Sequence, residues 1–110
     1  MTFRRGDIVL IVIPGELGKP RPAVVVQADE IGERRTVVVC PMSSESADAT
    51  ALRPLVEPTT ENGLHSRSQI MTDKISAVRR ERIRRNLGTL EPDILERLDR
   101  ALLIVLGLAT

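Results

Sequence analysis

Arg21 stands between two prolines in GELGKPRPAVVVQ, Gly15 to Gln27, immediately ahead of an apolar run. Pro20 and Pro22 fix their own φ and push the preceding residues, Lys19 and Arg21, towards extended geometry. A permanently charged planar fork therefore leaves the chain on a stiff backbone, and such a fork suits a phosphate or a carboxylate. The same frame also suits a loop end that opens a strand with a solvated arginine. Both readings stand at the level of the residues alone. Other chemistries are poorly supplied. One His and one Cys, without ligand-spaced companions, make a poor metal site. The glycines fit neither the P-loop nor the dinucleotide spacing. Ser43, His65 and Asp73 form a triad only by arithmetic, because no nucleophile elbow accompanies them.

The elements that must hold Arg21 are short and β-branched. Asp7 to Ile13, Ala23 to Gln27 and Thr36 to Met42 are apolar runs bounded by turn signals, and they predict strands. Because these runs are continuous rather than alternating, burial on both sides is expected. Asp29 to Arg35, charged and carrying Gly32, predicts a hairpin connection. Leu52 to Val56 reads as an edge strand broken by Pro54, and Thr59 to Ser66 as a loop turning at Asn62-Gly63. Gln69 to Met71 and Lys74 to Val78 read as strand pieces. Pro92 suits a first helical turn, and Ile94, Leu98, Leu102, Val105 and Ala109 recur at helical spacing. The second half of that helix is apolar nearly all round, which demands a covering surface.

At 110 residues the chain supports one domain, 1–110, with one modest core. Its net charge of +1 hides an uneven distribution. Arg79, Arg80, Arg82, Arg84 and Arg85 crowd one segment, which reads as solvated surface, and acids collect elsewhere. Cys40 follows three valines and reads as a buried structural thiol. With a single cysteine and apolar runs well short of the ~20 residues of a membrane span, a reducing, cytoplasmic location is expected. Phe3 is the only aromatic residue.

RRGDIVL, GELGKPRPAVVVQ, TVVVCPMSS, SQIMTDKI and the closing LDRALLIVLGL, in this order, resemble the MazF/PemK (Kid) toxins of bacterial toxin–antitoxin systems. The resemblance implies a small SH3-like β-barrel with a C-terminal α-helix, and a homodimer. It implies metal-independent, sequence-specific cleavage of single-stranded RNA by attack of the 2′-hydroxyl, with no cofactor. It also implies a cognate antitoxin whose flexible acidic segment covers the RNA groove. Arg21 matches the family's catalytic arginine. Ser43 falls where relatives carry a catalytic threonine, and so keeps the hydroxyl while losing the methyl. Glu16 and Asp73 match acids that some relatives use, although Met71 stands where one relative has an arginine two positions before its acid. Lys19, Gln27, Ser44, His65 and Arg67 are the implied RNA contacts. With so few aromatics, reading RNA falls to hydrogen bonds, arginine stacking and phosphate contacts. The same fold also hosts CcdB-type toxins, which poison DNA gyrase without nuclease activity. The absence of any Trp here disfavours that alternative.

Overall fold

The computed structural model describes residues 2–13, 15, 19–44 and 51–110. Strands β1 (Asp7–Val12), β2 (Pro20–Val25), β3 (Thr36–Ser43), β4 (Leu55–Val56), β5 (Ser68–Ile70), β6 (Ser76–Arg79) and β7 (Ile83–Thr89) lead to helix α1 (Pro92–Val105). All pairings are antiparallel, in the order β4-β5-β3-β2-β1-β7, with β6 also on β3. The sheet curls into a half-barrel and α1 follows it. The long strand β3 is the junction. Val39 to Pro41 pair with β2, Thr36 to Val39 pair with β6, and Met42 and Ser43 pair with β5.

Alternation along the strands explains the continuous apolar runs, because both faces are buried. Ile8, Val24, Cys40 and Met42 join Val56, Ile70, Leu98 and Leu102 in one core. The intervening Val9, Ile11, Ala23, Val25, Val37 and Val39 join Ile83, Phe3 and Val78 in a second. Each fully buried aliphatic side chain contributes about 1.5–3 kcal/mol. Exposed ion pairs contribute about 0–1 kcal/mol each, so the two cores outweigh them.

Several boundaries differ from the sequence expectation. β2 begins at Pro20 rather than Ala23. Its register with β1 runs from Pro20 to Val24, whereas β3 covers it only from Ala23 to Val25. The two prolines therefore lie where one side of the strand has no ladder, the place a sheet tolerates them. β4 keeps two residues, and Pro54 contributes only its carbonyl, which accepts the Ile70 N–H at 2.9 Å. The arginine-rich segment is not merely surface. Its second half is β7, hydrogen-bonded along β1. Helix α1 stops at Val105, before the apolar stripe ends. Gly107 takes φ +75°, its N–H reaches Ile104 O at 3.0 Å and Leu108 N–H reaches Leu103 O at 2.7 Å. This closing pattern needs a glycine and satisfies the last carbonyls.

Cys40 is fully buried in β3. Burial pushes its thiol up from 9.0 to about 12, with Arg5 opposing and Asp73 adding to the shift. The fold therefore favours the neutral thiol, a contribution fully present below the unfolded value and lost as pH rises towards the folded one. Between about pH 9 and pH 12, wild type should lose up to ~1.4 kcal/mol per pH unit more than Cys40→Ala. Urea midpoints across that window measure the difference, and parallel curves would refute it.

Candidate active site

Where β2 begins and β3 ends, a cleft of about 500 Å³ opens. Leu10, Pro22 and Met42, from three adjacent strands, line it. They lie on the sheet face whose buried members are Ile8, Val24 and Cys40, so the floor is an extension of the core. Around it stand Lys19, Arg21, Ser43, Ser44, His65, Ser66, Ser68 and Arg85. The β2–β3 register is Ala23 opposite Pro41. The ladder stops there, and just beyond its end Arg21 on β2 and Ser43 on β3 both line the cleft. Arg21 and Ser43 are half-buried, whereas Lys19, Ser44, His65 and Arg85 are exposed. Among the described residues, no carboxylate lines the cleft. Three cations, an imidazole and a group of hydroxyls make a place for an anion.

Five of the expected site residues thus come together: Arg21, Ser43, Lys19, Ser44 and His65. Three others lie elsewhere. Asp73, on a 3₁₀ turn (Thr72–Lys74), accepts both arms of the Arg53 guanidinium at 2.8 Å each. Those bonds hold its carboxyl below the usual value. Gln27 bridges the parting of β2 and β3, accepting from Val38 N–H and donating to Gly32 O, each at 3.3 Å. Arg67 pairs with Glu57 at 2.7 Å. Glu16 lies outside the described residues. Met71, where a relative carries arginine, is buried and donates its N–H to Pro41 O at 2.9 Å.

Arg85, which the sequence places in an arginine cluster read as solvated surface, also lines the cleft. Ile83 and Arg85 are two apart and in a regular strand would share a face. Here Ile11 pairs with Ile83 but Leu10 with Arg85, so one step on β1 matches two on β7. This bulge sends Ile83 into one core and Arg85 to the cleft on the other side. Bulges commonly re-aim side chains beside active sites, and alternation cannot reveal them.

The far wall of the cleft is a loop held by Asn62, which is fully buried. Its Oδ1 accepts Thr59 N–H and Leu64 N–H at 3.0 Å each. Its Nδ2 donates to Glu57 O at 2.8 Å and to the Glu91 carboxylate at 3.2 Å. Glu91 is the N-cap position of α1, so one amide ties loop to helix. Gly63, at φ +69°, is pressed on β7, and a Cβ there would meet Leu87 O at 2.1 Å. Only glycine permits this approach. Asn62→Ala leaves one buried and two part-buried backbone groups without this partner and should lower stability by about 1–3 kcal/mol. Urea denaturation checks this, and a loss under about 0.5 kcal/mol would match an ordinary surface site instead.

The comparisons with known proteins point in one direction. The family model for PemK-like, MazF-like toxins of type II toxin–antitoxin systems matches residues 4–106. A relative named Probable endoribonuclease MazF, from Mycolicibacterium smegmatis, is 39% identical over 108 residues, covering 97% of this chain and 99% of its own. Among solved structures, a mycobacterial endoribonuclease in complex with its cognate antitoxin superposes with a TM-score of 0.81 at 17% identity, covering 98% of both chains. The Mycobacterium tuberculosis toxin MazF-mt6 gives 0.79 at 19% identity, over 94% of this chain and 99% of that one. MazF in a MazE–MazF structure from Deinococcus radiodurans gives 0.74 at 19% identity and 97% of each chain.

Proposed function

Since this chain belongs to the PemK-like, MazF-like toxins of type II toxin–antitoxin systems and is an endoribonuclease of that family, we propose that it cuts single-stranded RNA in the cleft around Arg21, at a short sequence and without a metal. The observation that carries this reading is the convergence of Lys19, Arg21 and Arg85 with Ser43 on a floor free of described carboxylates. The 2′-hydroxyl attacks the adjacent phosphorus, the P–O5′ bond breaks, and the products are a 2′,3′-cyclic phosphate and a 5′-hydroxyl. No protein nucleophile is needed. The Arg21 fork stabilises charge that builds on the phosphorane oxygens, and Ser43 donates a hydrogen bond to one of them. A guanidinium stays protonated, so proton transfer falls to another group. Of the described side chains in the cleft, the His65 imidazole is the one suited to give and take protons. Asp73 stays with Arg53, away from the cleft. Lys19, Ser44 and Arg85 grip the flanking phosphates. The family match leaves the gyrase-poison reading without support.

The toxin works as a homodimer in the cytoplasm and is held in check by an acidic antitoxin segment that folds onto the basic cleft. The solved relatives with cognate antitoxin or MazE support that partner class. No helix of the described residues is long and apolar enough to cross a membrane.

The mechanism is tested with a defined RNA in EDTA. Cutting should persist, and a deoxyribose on the 5′ side of the cut should abolish it. Arg21→Ala should slow cutting by about 100–1,000-fold, with Arg21→Lys a partial rescue. Ser43→Ala should cost less, and Ser43→Thr almost nothing. Cutting of the deoxy substrate would overturn the nucleophile assignment.

The dimer is tested separately. Leu103, Ile104, Leu106 and Leu108 leave a large apolar area exposed at the end of α1. A symmetric partner is the economical cover for it. Sedimentation should show a dimer at micromolar concentration and a monomer for Leu106→Glu/Leu108→Glu. A monomeric wild type would refute the proposal.

A further inference from the structure

Away from the cleft, Arg34 and Arg35 face Arg79 and Arg80 across an open trough of about 870 Å³. The β3–β6 register makes this juxtaposition, because Thr36 pairs with Arg79 and the Arg80 N–H reaches Arg35 O at 3.0 Å. Two arginines at the end of the β2–β3 connection are thereby set beside two at the end of β6. Arg34, Arg35 and Arg79 are exposed. Arg80 is half-buried, its guanidinium 5.0 Å above the centre of the Phe3 ring, which fixes it in place. Two carboxylates lie nearby. Glu33 accepts from Thr2 Oγ1 at 3.3 Å, and Glu81 makes a loose 3.4 Å pair with Arg79 in which both side chains are largely exposed. Among the described residues that line the trough, arginines outnumber carboxylates.

We propose that this trough is a second binding surface for the phosphate backbone of single-stranded RNA, separate from the place of cutting. The inference rests on the RNA-cutting reading of the cleft. β3 supplies the link. Thr36, beside the trough, and Ser43, in the cleft, mark its two ends. Seven residues of extended chain put them about 23 Å apart. A polymer seated in the cleft can therefore reach the trough with a few more nucleotides, each carrying a phosphate. Guanidinium forks suit phosphate oxygens, and the exposed Arg34, Arg35 and Arg79 present theirs along one trough. The trough holds the strand against dissociation and carries no sequence preference, since phosphate contacts position without reading bases.

The test measures binding of labelled RNA made uncuttable by a deoxyribose at the cleavage position. A short strand of about 4 nucleotides fills the cleft alone, and one of about 16 can span both surfaces. Wild type is compared with Arg34→Gln/Arg35→Gln/Arg79→Gln, which leaves Arg80 on Phe3. For the long strand, the variant should bind about 10-fold more weakly at low salt, with a log–log salt slope smaller by about 2, the loss of three phosphate contacts on a single strand. Short-strand binding and the rate of cutting a short RNA should be unchanged. Equal slopes for the two proteins would overturn the proposal and mark the arginines as guards of an edge strand. Equal losses on both strands would also overturn it. Failure of the cleft reading appears elsewhere: wild type would ignore the short strand, while the slope difference on the long one would still support the trough.

Discussion

One carboxamide holds the architecture of the cleft together. Asn62 is fully buried, and both ends of its amide are engaged by backbone or by Glu91. A buried amide left unpaired costs several times what one satisfied hydrogen bond returns, so these contacts stand or fall as a group. Through them the loop from Glu57 to Leu64, the start of α1 and the late part of β7 share one geometry. The Thr89 N–H also reaches Glu61 O at 2.9 Å, and a Cβ at Gly88 would meet the same oxygen at 2.2 Å. Backbone packed this closely leaves no slack. The position of His65, three residues beyond Asn62, is inherited from that clamp.

The sequence shows the sheet more plainly than it shows the site. Three β-branched runs, a hairpin connection and an Asn-Gly turn identify β1 to β3 and the clamped loop, because local conformational preference and burial agree there. β7 was hidden because it reads Ile-Arg-Arg-Asn-Leu-Gly-Thr, with charge where a strand usually carries apolar residues. Pairing along β1 outweighs that local preference. At the site, Arg21 and Ser43 are legible because two prolines and a strand end fix where they emerge. Arg85 is not, because its direction depends on a bulge set by tertiary pairing. Asp73 shows the converse limit. Its partner Arg53 is 20 residues away in the chain, and spacing along a sequence gives no hint of the pair.

The charges divide into two kinds. Arg53, Arg67 and Arg100 are neutralised by neighbouring carboxylates and act as local braces. Such braces add little stability at the surface, but they remove those cations from the field felt by a polyanion. The cations around the cleft and trough shape that field instead. A chain whose total charge is close to neutral thus presents phosphate-binding surfaces by placement rather than by excess.

The three-way pairing of β3 has a consequence for how the molecule opens. Ladders to β2, β5 and β6 all run through this one strand. Releasing it severs all three and exposes both cores at once, so its amides have no route to solvent short of unfolding the whole domain. Amide hydrogen exchange in β3 accordingly reads the global free energy, whereas the ends of the sheet open more cheaply. Cys40 sits in that strand, and its thiol meets a solvent-borne reagent only during the same rare event. A proteolytic machine that clears this protein must wait for that opening or supply the force to cause it.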